Sequence, residues 1–276
     1  MRVLLGKRLQ DLREKAGLQY EQAALALDVT PATILRMETA TATLKLPYVE
    51  KLLHTYGVTD SSDIEAFLSL CRDANQPGWW HRYHDVLPDW FSAFVSLEGE
   101  ADTIRAYEPH YVPGLLQTDD YTRAVLRAGR PSASEQEVEH SVALHTERRR
   151  LLTRENPPLL WMVIGEAVLR RPTGGPAVMR AQIDRLIEAC SLPHIRLQIM
   201  PFSSGPHPGM YGPFQIFRFQ QPELPDIVYV ESLTSATYFD DRADVATFLE
   251  ALDQMSAQAP GANLTTAILE HARKEF

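Results

Sequence analysis

Residues 17–39 read GLQYEQAALALDVTPATILRMET, and this stretch decides the fold of the N-terminal part of the chain. Gly17 follows a segment whose Leu4, Leu5, Leu9 and Leu12 recur at helical spacing, and glycine is the usual residue just past a helix end. A second short helix is expected over 20–27, burying Ala23, Ala24 and Leu27, and it turns at Asp28-Val29. Thr30-Pro31 then opens a third helix, with threonine as N-cap and proline at the first helical position. Ile34 and Met37 face inward, which leaves Pro31, Ala32, Thr33 and Arg36 outside. Further helices are expected over 47–56, ended by Gly57, and over 61–75 after a Ser/Asp cap. Two short consecutive helices joined by a tight turn have helix-turn-helix geometry, in which the second helix enters the DNA major groove by its N-terminal residues. On periodicity alone, a plain structural bundle fits the same pattern.

The stretch resembles the helix-turn-helix of the lambda Cro/repressor (XRE-type) family. The matching positions are Gly17, Leu18, Glu21, Ala24, Leu27, Val29, Thr30, Thr33, Ile34, Arg36, Met37 and Glu38. The resemblance implies a structural pair between Glu38 and Arg13. It puts Pro31, Ala32 and Arg36 in the groove and Gln19 and Thr33 near phosphates, with Tyr20, Thr30 and Lys45 completing the expected contacts to double-stranded DNA. An arginine at position 36 suits a bidentate contact to guanine, about 1–3 kcal/mol of discrimination. Two departures point to weaker DNA binding. Tyr20 stands where the family often has glutamine, and Ala40-Thr41-Ala42-Thr43 stands where it often has glycine and basic residues.

The chain has 276 residues, 45% hydrophobic and 23% charged, enough for more than one domain with a packed core. Its net charge of −9 is unevenly spread. Residues 1–58 carry Arg2, Lys7, Arg8, Arg13, Lys15, Arg36, Lys45 and Lys51 against Asp11, Glu14, Glu21, Asp28, Glu38 and Glu50, a balance of +2 that leaves −11 for the remainder. A mildly basic head on an acidic body suits DNA contact through the head alone. Its modest affinity favours a homodimer reading half-sites about 34–36 Å apart. Cys71 and Cys190 form neither a disulfide framework nor a zinc spacing. No signal peptide and no apolar run of membrane length are present, so a cytoplasmic chain that avoids membranes is expected.

Beyond the Gln76-Pro77-Gly78 break lies an aromatic segment, Trp79, Trp80, Tyr83, Trp90, Phe91 and Phe94, read as glue between head and body. His81 and His84 are one helical turn apart without a clear third ligand, so no metal is expected. Residues 104–117 read as extended or turn-rich, and helices are expected over 119–128, 134–153, 177–189, 243–258 and 263–274. The run Arg148, Arg149, Arg150 and Arg154 reads as a solvated face. Strands are expected over 159–164, 195–200, 214–219 and 227–230. The expected fold is therefore multidomain: an all-α helix-turn-helix DNA-binding domain over 1–75, then an α+β sensor or partner-binding domain over 76–276.

PGWW at 77–80, VPGLLQT at 112–118, RRPTGGPAVMRAQIDRL at 170–186, QIMPF at 198–202, GPHPG at 205–209 and VYVES at 228–232 resemble the C-terminal domain of actinobacterial WhiJ-type regulators. That resemblance implies regulation together with a small protein partner encoded nearby, and it defines no ligand. No catalytic constellation or cofactor motif appears. Arg170-Arg171-Pro172-Thr173-Gly174-Gly175 lacks a phosphate-loop pattern and reads as a turn, and no nucleophile elbow is present, so an enzyme is not expected. Asp240-Asp241 reads as a helix N-cap region. Trp79, Trp80, Tyr83, Tyr107, His207 and Tyr211 are the candidates for contact with a small-molecule effector or a partner. The competing reading is a protein-interaction module whose helix-turn-helix no longer reads DNA.

Overall fold

The computed structural model describes residues 2–39, 42–75, 78–87, 89–220 and 224–276, without the side chains of Val3, Asp73, Asp89 and Trp90. Ala40 and Thr41 of the segment after the third helix, Gln76 and Pro77 of the expected break, and the Trp90 side chain lie outside what is described. The chain divides into two compact units, Met1–His81 and Arg82–Phe276.

Among its described residues the first unit contains the α-helices α1 (Arg2–Lys15), α2 (Tyr20–Leu27), α3 (Pro31–Glu38), α4 (Leu46–Thr55) and α5 (Ser61–Asn75). Leu4, Leu5, Leu9, Ala23, Ile34, Met37, Leu52 and Leu53 meet in its core. Between α2 and α3 the chain turns through Asp28, whose φ of 56° is left-handed. That conformation is unusual for a side chain other than glycine, although aspartate tolerates it. The turn lets the Asp28 amide donate to the carbonyls of Ala24 and Leu25, ending α2.

The angle of α3 is set from behind. Arg13 of α1 donates from Nε and Nη2 to the two carboxylate oxygens of Glu38, at 2.8 and 2.9 Å, and both side chains are buried. Its Nη1 donates to Leu18 O at 2.9 Å, and its guanidinium lies 4.1 Å from the Tyr20 ring centroid. One arginine therefore ties α1, the α1–α2 turn, the start of α2 and the end of α3 together. Gly6 permits the close approach, because a Cβ there would lie 2.4 Å from Glu38 O. The segment after α3 is held by Asn75 at the end of α5, which donates to Leu44 O at 2.7 Å and accepts from Leu44 N–H at 3.2 Å.

The second unit holds α6 (Asp89–Glu100), β1 (Thr103–Glu108), α7 (Asp119–Gly129), α8 (Glu135–Arg149), β2 (Leu159–Gly165), α9 (Ala167–Arg170), α10 (Pro176–Cys190), β3 (Ile195–Met200), β4 (Phe214–Arg218), β5 (Ile227–Glu231), β6 (Ala236–Phe239), α11 (Arg242–Gln258) and α12 (Thr265–Arg273). Six strands form one sheet in the order β3-β2-β1-β4-β5-β6. β1, β2 and β3 are parallel, joined by helical crossovers, and the other neighbours are antiparallel. The fold class is thus as expected, an all-α helix-turn-helix unit followed by an α+β unit, with two strands more than were legible.

Tyr107, Val163, Met200, Phe214, Ile216 and Val228 share one face of the sheet and pack with Val245, Leu252 and Met255 of α11. On the other face Phe94 of α6 lies 5.5 Å from Phe217 and 4.6 Å from Tyr229, ring to ring. Arg148 corrects the reading of a solvated arginine run. It is 5% exposed and forms a bidentate pair with Glu98 of α6 at 2.8 and 2.7 Å, its guanidinium 5.1 Å from the Phe94 ring. Arg149 is also occupied, donating to Gln117 O at 3.0 Å and to Asp119. The stretch read as extended or turn-rich begins as β1, a central strand. The Asp241 carboxylate caps α11, accepting from the amides of Ala243 and Asp244.

Glu38→Ala strands a buried guanidinium, and a loss of about 3–5 kcal/mol is expected in the first unit. Hydrogen exchange should show it as faster exchange in α1 and α3, with the sheet amides unchanged. Glu108, at the end of β1, has its carboxyl pushed up to about 8 by burial, aided by the charge of Glu231 and opposed by a hydrogen bond from Gln215. From about pH 6.5 to 8 the unfolded chain has this group ionised while the fold keeps it protonated, so stability falls as pH rises. Glu231, raised by burial, acts in the same direction. Buried His145, held well below 6.5, acts with the opposite sign only below that pH. Glu108→Gln is expected to flatten the fall across that window in urea denaturation.

Candidate nucleic-acid interface

The surface of α3 follows from its sequence. Ile34, Met37 and Glu38 are buried, so Pro31, Ala32, Leu35 and Arg36 emerge together on the opposite side. Leu35 is 45% exposed and was not among the expected contacts, although its spacing from Pro31, Ala32 and Arg36 places it on the same face. An apolar side chain there is suited to a thymine methyl group. Thr30 caps the helix start without a side-chain bond to its amides, and its hydroxyl instead meets the Thr33 hydroxyl at 3.0 Å. Pro31 has no amide hydrogen and the Thr33 amide donates to Thr30 O at 2.8 Å, so the helix start offers a phosphate few amides.

Arg36 is exposed and folded back along its helix, with Nε donating to Ala32 O at 3.3 Å and Nη2 to Thr33 Oγ1 at 3.5 Å. Gln19, exposed, precedes α2, and its amide donates to Gln22 Oε1 at 2.8 Å. Tyr20 is half-buried against the Arg13 guanidinium. Lys45 is exposed before α4, its ammonium 5.4 Å from the Tyr48 ring centroid. Among the eight basic residues of 1–58, Lys15, Arg36, Lys45 and Lys51 are exposed, while Arg13 is neutralised by Glu38. The basic surface is therefore thin.

The six residues expected to meet an effector or partner are placed as follows. Trp79 and Trp80 belong to the first unit, their rings edge-on at 6.0 Å. Tyr83 is 5% exposed, with its ring 4.8 Å from that of His140. Tyr211 is 99% exposed. Tyr107 and His207 do come together, edge-on at 5.4 Å, beside a cavity at the carboxyl ends of β1, β2 and β3. Among the described residues no group of three or more His, Cys, Asp and Glu is placed to hold a metal ion, and no helix is long and apolar enough to cross a membrane.

Family comparison agrees with this division of the chain. A model of the Helix-turn-helix domain matches residues 4–71, which cover most of α1, all of α2 to α4 and most of α5. The model described as Domain of unknown function (DUF5753) matches residues 91–271, from within α6 to α12. No curated protein and no solved structure matches the chain. The N-terminal helix-turn-helix domain indicates a DNA-binding regulator. With the second match covering well over half of its residues, the chain belongs to the family defined by Domain of unknown function (DUF5753).

Proposed function

We propose that this protein is a sequence-specific transcriptional regulator that reads double-stranded DNA with the outer face of α3. The observation that carries the reading is the exposed set Pro31, Ala32, Leu35 and Arg36 on a helix braced from behind by the buried Arg13–Glu38 pair. A rigid short helix with its polar and small residues outward is what major-groove entry requires. Thr30, Thr33, Gln19 and Lys45 contact the backbone, and Arg36 supplies base readout. The XRE-type pattern supports this assignment residue by residue. The thin basic surface supports operation as a homodimer, in which two weak heads act on paired half-sites. The second unit provides control through a small protein partner or a small molecule, in the manner of WhiJ-type regulators, and the protein is cytoplasmic and not an enzyme.

The same thin basic surface, together with Leu25 at 83% exposed on α2, favours one competing reading, a head that binds protein. Genome-wide capture of DNA by the purified chain separates the two. A short inverted repeat is expected, with Arg36→Ala weakening its binding by about 1–3 kcal/mol without changing the melting temperature. Absence of enrichment, or enrichment indifferent to Arg36→Ala, would favour the protein-binding head. On the recovered site, the salt dependence of binding is expected to correspond to fewer than about ten neutralised phosphates. A slope at or above that value would show basic contacts that the exposed residues do not account for.

A further inference from the structure

We propose that the cavity at the carboxyl ends of β1, β2 and β3 binds an uncharged, ring-containing apolar molecule. The topology creates the place: three parallel strands end on the same side of the sheet, and the loops that leave them gather there. The cavity measures about 400 Å³, within the range of small-molecule sites. Tyr107, Gly165, Met200, Phe202, His207 and Met210 line it.

Its walls are preformed. A Cβ on Gly165 would lie 3.2 Å from Pro109 Cα, and one on Gly209 would lie 2.4 Å from the Tyr107 ring and 2.5 Å from Met255 Sδ. The loop carrying His207 is thus pressed against β1 and α11, and the floor does not depend on a ligand to form.

Charge selects the class. Among the described residues, no lysine or arginine lines the cavity. The charged residue that does, Glu166, is already occupied, because Oε1 accepts from Arg170 Nη2 at 2.9 Å and Oε2 accepts from the Phe202 amide at 2.9 Å. A phosphate or carboxylate would find no counter-charge, whereas a neutral ring meets tyrosine, methionine and phenylalanine. His207 adds no fixed charge to the lining, because burial lowers its pKa and favours the neutral imidazole. Phe202 and Met210, 67% and 71% exposed, form an apolar lip.

The test uses the full chain without DNA, so its outcome is independent of whether α3 reads a sequence. The neutral probe N-phenyl-1-naphthylamine is titrated and its fluorescence followed. Saturable binding of one probe per chain is expected, weakened at least about ten-fold by Ala167→Phe, which fills the cavity, and unchanged by Leu233→Ala at a side chain 93% exposed in the β5–β6 turn. Should Ala167→Phe melt early, Met210→Glu, which puts a charge at the exposed lip, is expected to give the same loss. The anionic 1-anilinonaphthalene-8-sulfonate is expected to bind at least about ten-fold more weakly than the neutral probe. No saturable binding, binding indifferent to both cavity variants, or equal affinity for the sulfonate would overturn the assignment.

Discussion

A guanidinium taken out of water must meet a carboxylate in bidentate geometry, and both units are organised around that requirement. In the first, Arg13 cannot be buried unless Glu38 arrives at the end of α3, and this fixes how α3 leans on α1. In the second, Arg148 and Glu98 impose the same condition on α8 and α6 beneath the sheet. Replacing either pair with hydrocarbon could preserve stability, but the geometric demand would vanish with the charges. The pairs specify where helices stop and which faces they turn.

The first unit was legible because its signals are local. Gly17, Thr30-Pro31 and Gly57 punctuate the chain, and the leucine spacing of α1 supplies the inward face. The second unit was legible where apolar runs are continuous, as in β2 and β3, and obscure where they are not. β1 carries Arg105 and Glu108 and leads into a proline-rich turn, so its centrality depends on partners more than 50 residues away. β6 is four residues long and its place follows from pairing with β5. α6 opens on an aromatic cluster that was read as glue between head and body, and its helical register appears only once Phe94 is seen against Phe217 and Tyr229. Arg148 was misread because a run of four arginines says nothing about Glu98, which lies 50 residues away.

The candidate sites follow the same rule. Pro31, Ala32 and Arg36 could be placed outward from helical spacing alone, and Leu35 was passed over because apolar residues were assigned to the core. Tyr107 and His207 are 100 residues apart in the chain, and the parallel topology that unites them is not written in either neighbourhood. Trp79, Trp80 and Tyr83 are neighbours in the chain and were grouped by that alone.

Asn75 is the last residue of α5, and its side-chain amide grips both backbone groups of Leu44. Leu44 itself sits only eight residues beyond Arg36, and the Ala42 amide is bonded to Arg36 O at 3.1 Å. A carboxamide clasp at the end of α5 therefore anchors the segment that follows α3, so a disturbance of α5 is passed on to the helix that carries Arg36.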